Sequence, residues 1–244
     1  MMMKYLMLLL LLVSGPSVLA QYNDSTHYYI RYASTGSINS TNEGHSYLLN
    51  NALKTGIKKS RFSLNGNAGY VYGQQDSSIT NNDFGASIDF NYKSSLPKMY
   101  YWGLANYDKS LSLKINDRLQ VGGGLAYSLV ETKNSMLNIS DGILYEKSDL
   151  FLEDTIHDVY HTFRNSLRLQ YRFSIHDMII FDGNNFYQPS LQNGGDYILR
   201  FANSLSVKLY KWLLITATMN YNRNSRTEKE NLLFNYGITF EKYF

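Results

Sequence analysis

Leu232-Leu233-Phe234-Asn235-Tyr236-Gly237-Ile238-Thr239-Phe240-Glu241-Lys242-Tyr243-Phe244 decides the fold. Leu232, Phe234, Tyr236, Ile238, Phe240 and Phe244 share one face of an extended chain, and Asn235, Gly237, Thr239 and Glu241 share the other. Side chains alternate across a strand, so a period of two marks a strand with two unlike faces and excludes a helix. The same alternation recurs upstream. Phe62, Leu64, Ala68, Tyr70 and Tyr72 oppose Ser63, Asn65, Asn67 and Gly69. Phe84, Ala86, Ile88, Phe90 and Tyr92 oppose Asp83, Ser87, Asp89 and Asn91. Leu213, Ile215, Ala217, Met219 and Tyr221 oppose Thr216, Thr218, Asn220 and Asn222.

Such runs predict about twelve strands, with cores at 26–36, 46–57, 61–74, 82–94, 99–115, 118–131, 134–147, 159–174, 177–187, 196–209, 212–223 and 229–244. Pro97 and Pro189 are expected between strands, where a missing N–H costs the ladder nothing. Lys58 to Ser60, Thr132-Lys133, Ile175-His176 and Tyr210-Lys211 read as tight turns, whereas Ser37 to His45, Ser148 to Asp158 and Gln188 to Gly195 read as longer loops. Asn116-Asp117 breaks this alternation by being short. Short turns on one side and longer loops on the other are expected of an outer-membrane barrel, as is an even strand number.

The N-terminus carries an export signature. Lys4 precedes an apolar run from Tyr5 to Val13, Ser14-Gly15-Pro16 breaks it, and Val18-Leu19-Ala20 offers a small-residue cleavage site before Gln21. That pattern predicts a signal peptide over 1–20 and one mature domain over 21–244. The alternative is an uncleaved anchor, but the run is too short to span a bilayer as a helix. The chain has no Cys, so a lipoprotein anchor, a disulfide and a thiolate metal site are all excluded. Without Lys4, 22 of the 23 Lys and Arg remain against 20 Asp and Glu, a balance that argues against a nucleic-acid partner. No later stretch of about 18 apolar residues occurs, so membrane insertion requires a closed barrel, the other architecture that satisfies every backbone group in lipid.

A soluble barrel also alternates, but it packs large apolar residues inward. Here the faces opposite the apolar ones hold Ser, Thr, Asn, Gly and charges, too little to build a packed core. Aromatics gather near strand ends, at Tyr28-Tyr29, Tyr100-Tyr101-Trp102, Tyr210 with Trp212, and Tyr243-Phe244, as in the girdles of transmembrane barrels. The final strand resembles the signal read by the outer-membrane insertion machinery, with Asn235, Gly237, Phe240 and Phe244 in the expected polar–Gly–aromatic spacing and Lys242 departing from it. The reading is therefore all-β: an antiparallel transmembrane barrel whose partners are outer-membrane lipid and that machinery.

A family resemblance adds to this. Tyr107-Asp108-Lys109-Ser110-Leu111, Arg118 to Tyr127 with its Gly122-Gly123-Gly124, Ser140 to Glu146, Phe181 to Pro189 and Glu241 to Phe244 resemble the salt-induced outer-membrane protein family, a domain of unknown function. The resemblance covers most of the mature chain. It implies location and fold, and it brings no catalytic residue, cofactor or substrate.

Parity also selects candidate site residues. Phe163, Leu167, Leu169, Tyr171 and Phe173 are assigned to lipid, and Arg164, Ser166, Arg168, Gln170 and Arg172 to the lumen, with Arg200 and Lys208 inward on another strand. Charges tolerated in a lumen are costly at the lipid face. These cations either line a narrow anion-preferring pore or close the lumen by pairing with Asp83, Asp89, Asp108, Glu146 and Asp182. His157, His161 and His176 invite a hydrolase or metal reading, but His161 and Ser166 fall on opposite faces and no ligand spacing appears. Gly122-Gly123-Gly124 is followed by no helix and is no phosphate cradle; it is expected to admit a neighbouring aromatic against bare backbone. Three function classes follow: a structural barrel or narrow passive channel for small polar solutes, an outer-membrane lipid-modifying enzyme, and a soluble periplasmic barrel carrier. The first is preferred, with no enzymatic activity and no cofactor. Oligomeric state is not legible.

Overall fold

The computed structural model describes residues 27–40, 44–153 and 156–244, so the expected signal peptide lies outside the described residues. The strands are β1 (Tyr28–Ser40), β2 (His45–Lys59), β3 (Phe62–Gln75), β4 (Ser78–Lys93), β5 (Met99–Ser110), β6 (Ile115–Glu131), β7 (Ser135–Glu153), β8 (Ile156–Asn165), β9 (Leu167–Ile175), β10 (Ile179–Pro189), β11 (Tyr197–Lys208), β12 (Leu213–Asn224) and β13 (Lys229–Tyr243). Each pairs antiparallel with its neighbours, and the sheet closes where β1 meets β13. Tyr28 N donates to the Phe244 carbonyl at 3.1 Å and Phe244 N to that of Tyr28 at 2.8 Å, sealing the seam.

The run expected as one strand over 159–174 is two elements in one place. Both β8 and β9 pair with β7 in a single register, Leu144 opposite Arg164 and Ser140 opposite Arg168, so the wall has twelve positions. At the break at Ser166 the pairing lapses toward both neighbours, and on the β10 side the cause is visible. Leu191 N donates to the Phe163 carbonyl at 2.7 Å, and by the two-residue period the nitrogen of Pro189 faces the same strand, toward Asn165. Pro189 has no N–H to give, so the ladder lapses there. Pro189 is thus the last residue of β10 and does not fall between strands. Pro97 does lie in a connection, between β4 and β5.

Other boundaries move as well. Asn116-Asp117 lies inside β6, and the connection is the turn from Leu111 to Lys114. The loops expected at Ser37 to His45 and Ser148 to Asp158 are mostly strand, because β1, β2, β7 and β8 continue their ladders beyond the apolar band. Polar residues end an apolar pattern without ending backbone pairing. At Asp76-Ser77 both residues take positive φ (46° and 72°), the geometry a two-residue hairpin loop needs to match strand twist.

The exterior is apolar. Along β13, Leu232, Phe234, Tyr236, Ile238 and Phe240 are exposed, while Asn235, Thr239 and Glu241 are buried. Aromatics mark both ends: Trp212 stacks between Tyr210 and Phe240 (6.3 and 5.8 Å) near the termini, and Phe84 meets Tyr107 at 6.4 Å toward the opposite mouth. The interior also holds an apolar cluster of Trp102, Ala126 and Leu144. Trp102 fits there because Gly142 is bare: a Cβ would stand 2.6 Å from the indole. Its Nε1 donates to the Leu125 and Asp141 carbonyls at 3.2 and 3.3 Å.

Candidate functional site: the charged interior

Alternation turns one residue in two inward, and the inward charges meet across the barrel. Arg164 of β8 is fully buried. Its Nε and Nη2 donate to the two oxygens of Glu146 at 2.8 and 2.9 Å, and Nη2 reaches Asp196 at 2.9 Å. Glu146 also accepts from Gln120 Nε2 and the Tyr160 hydroxyl, both at 2.6 Å. Arg168 of β9 donates to Asp89 of β4 at 2.5 Å and to Asn184 at 2.7 Å. Arg200 of β11 donates to Asp108 of β5 at 2.5 Å. Arg31 of β1 donates to Asp182 of β10 at 3.0 Å, and Arg172 of β9 donates to Glu241 of β13 at 3.3 Å. None of the last four pairs joins neighbouring strands, so each spans the lumen.

Two residues singled out by parity behave differently. Asp83 accepts from the Ser110 and Ser112 hydroxyls (2.8 and 2.7 Å) and from Ser112 N (3.1 Å), so it pins the β5–β6 turn and pairs with no cation among the described residues. Its expected role as an ion-pair partner is corrected: the turn at Leu111 to Lys114 brings hydroxyls to it first. Lys208 forms no ion pair among the described residues.

The interior also holds charges outside the parity-selected set: Arg31, Lys54, Arg118, Asp196, Arg226 and Glu241. Arg31, Lys54, Arg118 and Glu241 carry a usable signal, since each sits in an alternating strand. Asp196 and Arg226 sit in loops, where parity is undefined. Arg226, between β12 and β13, reaches Asp158 at 2.5 Å and Asp196 at 3.3 Å, and lies 3.7 Å over the Tyr160 ring. Donating to the Asp158 carboxylate pushes its pKa above the ordinary guanidinium value.

His161 and Ser166 are not brought together. His161 is exposed on the outer face and Ser166 is fully buried inside. His157 Nδ1 contacts Asp149 at 2.7 Å near the mouth. Among the described residues, no three His, Cys, Asp or Glu side chains gather to hold a metal.

These features define a closed antiparallel barrel of twelve wall positions, apolar outside and ion-paired within. The family described as "Protein of unknown function, DUF481" matches residues 36–240, and the chain belongs to it. Among solved structures, the chain is similar to the translocator domain of the autotransporter NalP from Neisseria meningitidis at 11% identity, covering 90% of each chain with a TM-score of 0.49. It is similar to the NanC porin at 12% identity, covering 89% of this chain and 99% of that one, with a TM-score of 0.48. The KdgM porin gives 10% identity, 87% and 98% coverage and a TM-score of 0.45. No curated protein sequence matches.

Proposed function

We propose that this chain is an integral outer-membrane barrel whose lumen is held shut by charge pairs, with a structural role in the membrane and no enzymatic activity. The single observation that carries this is the set of arginine–carboxylate pairs spanning the lumen, at Arg31–Asp182, Arg168–Asp89, Arg172–Glu241 and Arg200–Asp108. Buried pairs of this kind resist opening, because separating one strands a charge in low dielectric. The exposed outer band of Phe, Leu, Ile and Tyr supports lipid as the surrounding medium. Export after cleavage near Ala20, and recognition of the last strand through Phe240 and Phe244 by the insertion machinery, belong to the same reading.

A narrow passive channel for small polar solutes is the second reading, favoured by an internal cavity of about 330 Å³. Conductance of the purified protein in a planar bilayer separates the two. A closed lumen predicts no discrete steps, and steady anion-preferring steps would replace it with the channel. Fractionation of the producing cells tests the location, and a soluble periplasmic product would overturn it.

A further inference from the structure

The same cavity has a composition that a closed lumen alone does not require. One lateral row of the wall is made of small residues: Ala33 pairs with Ala52, Ala52 with Gly69, and Gly69 with Gly85. The row continues through Gly85 opposite Asp108 and Asp108 opposite Arg118. Four strands in succession thus present almost no side chain at this level, and the space reaches from there to Ser204 and Thr218 on the facing strands.

Its lining is short of partners. Arg118 is 1% exposed, yet its Nε and Nη2 donate to no partner among the described residues. Asn224 Nδ2, Ser204 Oγ and Thr218 Oγ1 are likewise unbonded, and all four residues border this one cavity. A buried donor without an acceptor costs the desolvation of that group, more for a charged one, so such groups ordinarily meet a partner. The nearby carboxylates are already taken: Glu146 by Arg164, and Asp108 by Arg200. Lys54, inward like its neighbour Arg31, also borders the cavity and has no ion-pair partner within 4.0 Å among the described residues. Asp83, on the same wall, is occupied by Ser110 and Ser112. Among the described residues bordering the cavity, Arg118, Lys54 and Lys109 hold no carboxylate, and Asp83 alone of the carboxylates holds no cation.

We infer that this cavity binds a small hydroxylated monocarboxylate, of the size and polarity of a sugar acid. A guanidinium fork matches a carboxylate, which accepts at both oxygens. The Ser, Thr and Asn groups of the lining offer the mixed donors and acceptors that hydroxyls need. About 330 Å³ is at the lower end of small-ligand sites and is roomy for a lone inorganic anion. The inference goes beyond the proposed function, because a structural barrel need hold nothing.

The test is calorimetry on the full mature chain folded in detergent micelles, titrated with gluconate, with sorbitol as its neutral analogue and with inorganic phosphate. Saturable heat is expected with gluconate only, and Arg118→Gln should weaken it at least about tenfold, as losing a hydrogen bond to a charged group does. No saturable heat, equal binding of sorbitol or phosphate, or unchanged affinity in R118Q would overturn the inference. Should R118Q not fold, Ser204→Cys gives a second readout in a chain that has no other Cys. A small water-soluble thiol reagent should label it, and gluconate should slow that labelling several-fold. An unlabelled site, or one that gluconate leaves unprotected, refutes the binding site. Neither result bears on the closed lumen, which conductance alone decides.

Discussion

The Arg164–Glu146 pair is where the interior should be most sensitive. Both side chains have no exposure, and Arg164 engages both carboxylate oxygens. Replacing Arg164 by Met leaves Glu146 with only Gln120 and Tyr160 as donors, at 2.6 Å each. A buried carboxylate stripped of its cation typically costs about 3–5 kcal/mol. Replacing Glu146 by Gln should cost less, because Arg164 keeps Asp196 at 2.9 Å and the backbone carbonyls of Gln188 and Asp196 at 3.3 Å. The double variant removes both charges, so it should be less destabilised than the two single losses summed, by roughly 1–3 kcal/mol. The assay is urea unfolding of the micelle-folded barrel, read by heat-modifiable gel mobility, with the urea dependence expected to stay constant across the set. A cost for Arg164→Met below about 1 kcal/mol, or strict additivity in the double variant, would refute the claim that this pair is a coupled, desolvated unit.

Further outcomes follow from sidedness, termini and charge. Leu169→Arg should destabilise the barrel by about 2–4 kcal/mol if the residue sits near mid-bilayer, whereas Leu169→Phe should be nearly silent; equal effects would remove lipid from that face. Phe244→Ser should lower the amount of assembled barrel in outer-membrane fractions far more than Gln192→Ser in the β10–β11 loop, and equal levels would show that the last strand is not read during insertion. At the mouth, burial of Asp149 alone would raise its pKa, but the hydrogen bonds from Asn116 and His157 outweigh it and hold the carboxyl below its usual value. A depressed carboxyl contributes stability that is present above the unfolded value near 3.8 and is lost as pH falls through the lower folded one. Amide exchange in the tip between β7 and β8 should therefore accelerate below about pH 4 in the parent and lose that dependence in Asp149→Asn; an identical profile in both would break the link.

Much was legible in the residues because a strand's faces are a local property. The parity of Leu232 to Phe244 is enough to predict that Phe234 points away from Asn235, and the same count places Arg164, Arg168 and Arg172 together on the inner face. The sequence also determined all-β architecture, antiparallel order and the approximate strand number, since each follows from period-two runs punctuated by turns. What a run cannot contain is its meeting with a strand on the far side of the ring. That Arg168 faces Asp89, or Arg31 faces Asp182, depends on register accumulated around the closed sheet, so only the tertiary structure chose between an open row of cations and a set of crossed pairs. The lapse in pairing between Ser166 and β10 is of the same kind: the missing N–H belongs to Pro189, about twenty residues away and alongside only once the barrel has formed. Local sequence decides which way a side chain points; closure decides what it meets there.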